Sequence, residues 1–214
     1  MPTTSNGGVD LYYETAGTGE TVAFVGDVGY GAWQWGWQHA AVAGPYESLV
    51  ADLRGAGRSD APSGPYTVED LSDDLTTILS DAGVRSAHVV GAGLGGMVAL
   101  YTALDTARVD SLTLVGTAAR GDGLDLEPLW GAPDDKADLE RSLGAGLSEQ
   151  FVDAHPDAVE QIVGWRAAAD ASVPMRRADP VRAWMVQLFI IIPISLSFSL
   201  SVRLNAIKTL SEIG

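Results

Sequence analysis

Short apolar and β-branched runs alternate with segments of helical period between residues 9 and 115, and that alternation restricts the fold more than any other feature. Residues 9–14 and 21–25 read as strands, the second running into a glycine-rich loop at 26–31. Residues 49–52 form a third short strand pattern, closed by Leu53-Arg54-Gly55. Residues 68–82 are predicted helical, because Leu71, Leu75 and Leu79 fall four apart and acids gather in the first half. Residues 87–90 predict a strand entering the glycines of 91–96; residues 94–104 predict a helix, and 112–115 the next strand. Strands separated by helices of this length are joined by crossovers rather than hairpins. The expectation is therefore an α/β chain with a mostly parallel sheet and flanking helices. Residues 122–178 carry no strand pattern and read as helices broken by Pro and Gly. That predicts a core over about 1–120 and a helical cap over about 121–183.

Charge narrows the class of partner. Twenty-eight acids oppose thirteen bases for a net charge of −15, and lysine occurs only at Lys136 and Lys208. A field of this sign repels nucleic acid and anionic lipid, so neither is an expected partner. Dense carboxylate with little lysine also suits a halophilic protein, whose self-repulsion is relieved by salt. The thermal midpoint is then expected to be higher in about 2 M than in about 0.1 M potassium chloride, because the screening length falls to ~3 Å near 1 M. Equal midpoints would leave a merely acidic protein. The absence of cysteine removes disulfides and thiolate chemistry. Residues 1–20 lack the basic start and apolar run of an export signal, which points to the cytoplasm.

The composition breaks near residues 183–184. Residues 1–183 hold 27 acids and 11 bases, whereas 184–214 hold Glu212 against Arg203 and Lys208. Isoleucine occurs twice in the first part, at Ile78 and Ile162, and six times in the second. From Ile194 to Leu204 apolar residues alternate strictly with polar ones, a strand pattern with one polar face. Residues 185–202 have the length of a membrane span, but four serines and Pro193 dilute it. A shifted reading frame or a truncated gene would also produce so abrupt a break.

The glycines at 91–96 admit two readings. Gly91, Gly93 and Gly96 fit G-x-G-x-x-G, a turn that brings backbone N–H groups to a pyrophosphate. That fingerprint favours the first strand of a domain and an acid at the end of the following strand, and neither condition is met. Alternatively, Gly91-Ala92-Gly93-Leu94-Gly95 is a G-x-S-x-G nucleophile elbow with Gly93 in the serine position. Its surroundings favour the second reading. Asp52-Leu53-Arg54-Gly55-Ala56-Gly57-Arg58-Ser59-Asp60 resembles the D-x-R-G-x-G-x-S loop of α/β-hydrolases. The strand at 22–26 followed by Trp33, Trp35 and Trp37 resembles that family's strand, His-Gly and aromatic segment, with Val25 in place of histidine. The alternating tryptophans would share one side of a strand. Over roughly residues 8–180 the chain is similar to small ester and enol-lactone hydrolases with a helical cap.

The resemblance implies a triad in the order Ser, Asp or Glu, then His. Gly93 has no side chain to attack with; His39 and His88 precede the elbow and do not fit the order, and His155 lies in the cap, in the helix-break context His155-Pro156-Asp157. The last strands of the family fold, with the acid and base they carry, are expected to be missing after the cap. The oxyanion side is implied to persist as the backbone N–H groups of Leu94 and Asp27, with Gly26 and Trp33 in the pocket wall. No catalytic residue is intact on this reading, and no cofactor or metal is expected. A serine restored at Gly93 is expected to bring no activity and to cost little stability. The resemblance makes the chain a hydrolase of small esters or lactones by family, with catalysis impaired. A non-catalytic small-molecule binder and a flavin- or NAD-binding protein are the other readings.

Overall fold

The computed structural model describes residues 3–119, 128, 131 and 135–171. The strands are β1 (Thr3–Asn6), β2 (Val9–Ala16), β3 (Thr21–Val25), β4 (Glu47–Asp52), β5 (Ala87–Ala92) and β6 (Val109–Val115). The helices are α1 (Gly36–Val42), α2 (Val68–Asp81), α3 (Leu94–Asp105), α4 (Lys136–Gly144), α5 (Glu149–Ala154) and α6 (Pro156–Ala171). A 3-10 turn, Ala32–Trp35, precedes α1.

The six strands form one sheet in the order β1-β2-β4-β3-β5-β6. β4, β3, β5 and β6 run parallel, as the strand–helix alternation predicts. β1 and β2 add an antiparallel edge, making the sheet mixed. The alternation does not predict β1, but a local signal does. Gly7 and Gly8 both take positive φ, 59° and 85°, and join Asn6 directly to Val9 as a two-residue hairpin.

Helices cover both faces. Leu71, Leu75, Ile78 and Leu79 of α2 and Met97, Val98 and Ala99 of α3 pack with Leu11, Ala23, Leu49 and Val89 into the main core. The spacing of the α2 leucines puts them on one stripe, as expected. Thr67 and Asp70 cap its start reciprocally: Asp70 N donates to Thr67 Oγ1 at 3.0 Å and Thr67 N to Asp70 Oδ2 at 2.7 Å. The opposite face carries a smaller core of Phe24, Ala32, Trp35, Val50 and Ala92. The three tryptophans do not share a side. Trp35 is buried, with its ring centroid 5.2 Å from that of Phe24, while Trp37 is 62% exposed. The backbone there is helical and not a strand, and in a helix residues two apart point roughly 200° away from each other.

The loop after β4 is a scaffold. Asp52 Oδ2 accepts from Arg58 N at 2.8 Å, and Asp52 Oδ1 accepts from Ala32 N. Ser59 Oγ accepts from Tyr12 N at 2.8 Å and donates to Asp52 O. Asp60 and Asp10 exchange two bonds, at 2.8 and 2.9 Å. The resembling motif therefore ties β2, β4 and the loop after β3 together.

β6 is the last strand of the described sheet, paired with β5 on one side among the described residues. Helices α4, α5 and α6 gather into a separate layer with its own small core of Leu139, Leu143 and Val163, against which Tyr30 packs. The strand, membrane-span and frame-shift readings of 184–214 fall outside the described residues. Among the described residues no helix is long and apolar enough to cross a membrane.

Candidate functional site

The chain reverses its progress across the sheet beside β3: it passes outward to β4 and then returns to β5 on the other side. The crevice outside the carboxyl ends of strands at such a switch is where open α/β sheets bind ligands. Here two loops meet in it, the glycine-rich loop after β3 and the turn from β5 into α3.

Gly93 is the apex of that turn, with φ 49° and ψ −114°, a conformation a side chain strains to adopt. Gly93 N donates to Val115 O at 2.9 Å and Thr117 Oγ1 donates to Gly93 O, so the apex is pinned to the end of β6. The flanking glycines are demanded by space. A Cβ at Gly91 would overlap the Gly95 carbonyl, and one at Gly95 would overlap the carbonyls of Val25 and Gly26. The strand, the helix and the neighbouring loop are therefore packed backbone to backbone.

Space above Gly93 is taken by a carboxylate. A Cβ built on Gly93 would overlap the Asp27 side chain. Asp27 Oδ1 accepts from Leu94 N at 2.9 Å and from Val28 N at 2.7 Å. Leu94 N is the first amide of α3, where the helix dipole adds to the attraction for an anion. The Asp27 amide, the second donor implied by the family resemblance, instead donates to Gln34 Oε1 at 2.9 Å. The second amide that converges with Leu94 N on Asp27 Oδ1 is that of Val28. Both the Leu94 and Val28 amides donate to the Asp27 side chain, so Asp27 faces them as an acceptor while its own amide is turned to Gln34.

A shallow cleft, open to solvent, lies beside this pair. Its walls include Gly26, Asp27, Leu94, Tyr30, Arg54 and Val98. Trp33 does not line it but packs behind, its ring centroid 5.3 Å from that of Tyr30. Burial pushes the Tyr30 phenol above its ordinary pKa, so it stays protonated at neutral pH. Arg54 turns away from the cleft. Its Nε and Nη2 donate to Asp74 at 2.8 and 2.6 Å, and its Nη1 lies 3.9 Å from Asp70. The hydrogen bond with Asp74 holds Arg54 above its ordinary pKa.

The helical layer reaches the site through Tyr30. Arg166 of α6 is fully buried, its guanidinium carbon 4.8 Å from the centre of the Tyr30 ring, and its Nη1 donates to Ser142 Oγ at 2.5 Å. Trp165 stands 6.1 Å from Trp33 and 5.8 Å from Trp37, centroid to centroid. Sequence reasoning missed Val28, Gln34 and Arg166. Their roles depend on how loops and cap meet, which no local pattern encodes.

None of the three histidines lines the cleft. His39 Nδ1 bonds Ser48 Oγ at 2.8 Å, at the amino-terminal end of β4. His88 Nδ1 bonds Ser111 Oγ at 2.7 Å, near the start of β5. His155 is exposed at the end of α5, its ring 4.8 Å from that of Phe151. The dinucleotide reading of Gly91, Gly93 and Gly96 requires open amides at the start of α3. Asp27 already occupies the Leu94 amide, and its charge would repel a phosphate.

Comparisons with known proteins agree with this architecture. A model described as alpha/beta hydrolase fold matches residues 29–140, more than half of the chain. A protein of Azorhizobium caulinodans named as a carbamate hydrolase, RutD, is 38% identical over 124 residues, covering 58% of this chain and 47% of its own length. The chain thus spans less than half the length of that curated relative. Among solved structures, Est816, described as an N-acyl homoserine lactone degrading enzyme, has a TM-score of 0.69 at 24% identity over 86% of this chain and 74% of its own. The enol-lactonase of Burkholderia xenovorans LB400 has a TM-score of 0.64 at 22% identity over 83% of this chain and 74% of its own. At these identities the two structures show the fold alone. The topology and the matched family model agree, and the chain belongs to the alpha/beta hydrolase fold family.

Proposed function

We propose that this chain keeps the family's cleft as a binding site for a small ester- or lactone-like molecule and does not turn it over by a serine route. The observation that carries this is the Asp27 carboxylate seated over Gly93, on two amides suited to a developing oxyanion. A tetrahedral intermediate places negative charge in that hole, and a carboxylate already there opposes it. The nucleophile position has no side chain, and no histidine of the chain stands at the cleft to take a proton. By the resemblance, G-x-S-x-G turns in this family present the serine at the place of Gly93. The ligand class is drawn from the lactone and carbamate chemistry by which the similar proteins are named. Nucleic acid and membranes stay outside the proposal, since a net charge of −15 disfavours both.

The expected result is no hydrolysis of short p-nitrophenyl esters above the buffer rate. Loss of one triad member already costs several powers of ten in serine hydrolases. In parallel, an N-acyl homoserine lactone is expected to raise the melting midpoint without being consumed. Turnover that survives purification and disappears in Asp27→Asn would overturn the proposal and make Asp27 the catalytic group.

A further inference from the structure

The cleft lining contains two formally charged side chains, Asp27 and Arg54. Arg54 is already committed: it makes a two-pronged ion pair with the fully buried Asp74, and its own amide donates to the same carboxylate at 3.1 Å. The charge left facing a ligand is therefore the Asp27 carboxylate. That group is not a passing visitor. Two amides converge on its Oδ1, Gln34 fixes its backbone N–H, and the missing side chain at Gly93 supplies the volume it fills. A serine or any larger residue at 93 would take that volume. Asp27 and Gly93 therefore interlock, and each conformation presupposes the other residue.

We propose that the Asp27 carboxylate is an internal ligand of the amide hole at Leu94 and Val28, which restricts the intact cleft to ligands without an anionic head group. Asp27 is on this account the specificity-determining residue of the site. The inference rests on the cleft being a binding site, as proposed above, but it concerns the charge of the ligand and not turnover. Its physical basis is that an anion entering the cleft meets a carboxylate at close range and finds both hole amides engaged. Once the Asp27 side chain is removed, the same two amides are open to a free carboxylate of similar shape.

Acetate is the probe, with chloride at equal ionic strength as reference, both near neutral pH. Wild type is expected to melt at the same temperature in the two salts. Asp27→Ala is expected to melt roughly 3–6 °C higher in about 0.2 M acetate than in chloride, as for a weak ligand at several times its dissociation constant. Asp27→Asn, which keeps the side chain in place, is expected to show no such difference. Should Asp27→Ala fail to fold in chloride, its recovery on refolding in acetate reads the same property. An Asp27→Ala protein indifferent to acetate, or not recovered by it, overturns the inference; so does wild type stabilised by acetate as strongly as the variant. These outcomes are independent of ester turnover. An esterase-active wild type whose Asp27→Ala form takes up acetate would fail the proposed function and leave this inference standing.

Discussion

Asp74→Ala is expected to be among the most damaging substitutions in the described fold, with a loss of about 3–5 kcal/mol, the range for stranding one member of a buried ion pair. Asp74 is wholly buried and accepts four hydrogen bonds: from Arg54 Nε, Nη2 and N, and from Asn6 Nδ2 at 2.9 Å. Those bonds join α2 to the loop after β4 and to the edge strand β1. Alanine would leave the Arg54 guanidinium, whose side chain is only 14% exposed, with the more distant and partly exposed Asp70 as its remaining ion partner. Domains are commonly stable by about 5–15 kcal/mol, so the loss takes a large share of the total and would bring a domain at the low end of that range close to unfolding at room temperature. Replacing both partners, as Arg54→Met with Asp74→Leu, is expected to be milder, since an apolar pair strands no charge. Urea midpoints of the three proteins check this. A loss below about 1 kcal/mol in Asp74→Ala would mean that the pair adds nothing to the fold.

Gly93→Ser is expected to destabilise the protein by about 4 kcal/mol or more and to gain no esterase activity. Two costs combine. A side chain at φ 49° and ψ −114° stores about 1–3 kcal/mol of backbone strain. The new Cβ also overlaps the Asp27 carboxylate and must displace it from two amides, and hydrogen bonds to a charged group contribute about 1.5–3 kcal/mol each when lost. The sequence alone suggests a small loss, because it shows the strained apex and not the carboxylate above it. The coupling is separable. Asp27→Gly with Gly93→Ser should lose less stability than the sum of the two single changes. Additive losses would show that the two residues do not interlock. Reaction of Gly93→Ser with a fluorophosphonate probe would reveal a base that the histidine positions do not provide.

The contrast between Gly93 and Asp27 shows what kind of information each level holds. Gly91, Gly93 and Gly95 are legible as a tight strand-to-helix turn because each glycine's role follows from its immediate neighbours. Asp27 reads locally as a turn residue in a glycine-rich loop, and nothing within several positions reveals its partner. The amide it meets, Leu94 N, lies 67 residues away, and only the parallel pairing of β3 with β5 brings them together. The tryptophans show the same limit from the other side. Trp33, Trp35 and Trp37 alternate as a strand would, yet the loop after β3 turns helical and sends Trp35 inward and Trp37 outward. Periodicity over three positions does not distinguish a short strand from a helical turn whose burial is set by tertiary contacts.

The sequence by itself determined the α/β class, a mostly parallel sheet, the amphipathic helix expected over 68–82 and found at Val68–Asp81, and the absence of a serine at the turn apex. Those properties follow from local periodicity, from glycine's freedom of backbone and from the identity of single residues. Tertiary structure alone decided that the loop after β4 is a scaffold, that Arg54 belongs to Asp74, that Arg166 is buried over Tyr30, and that Asp27 fills the space Gly93 leaves. The physical reason is that each of these is a pairing of charge or volume between segments distant in the chain. Such a pairing has an energy only once the sheet has set the distance between its partners.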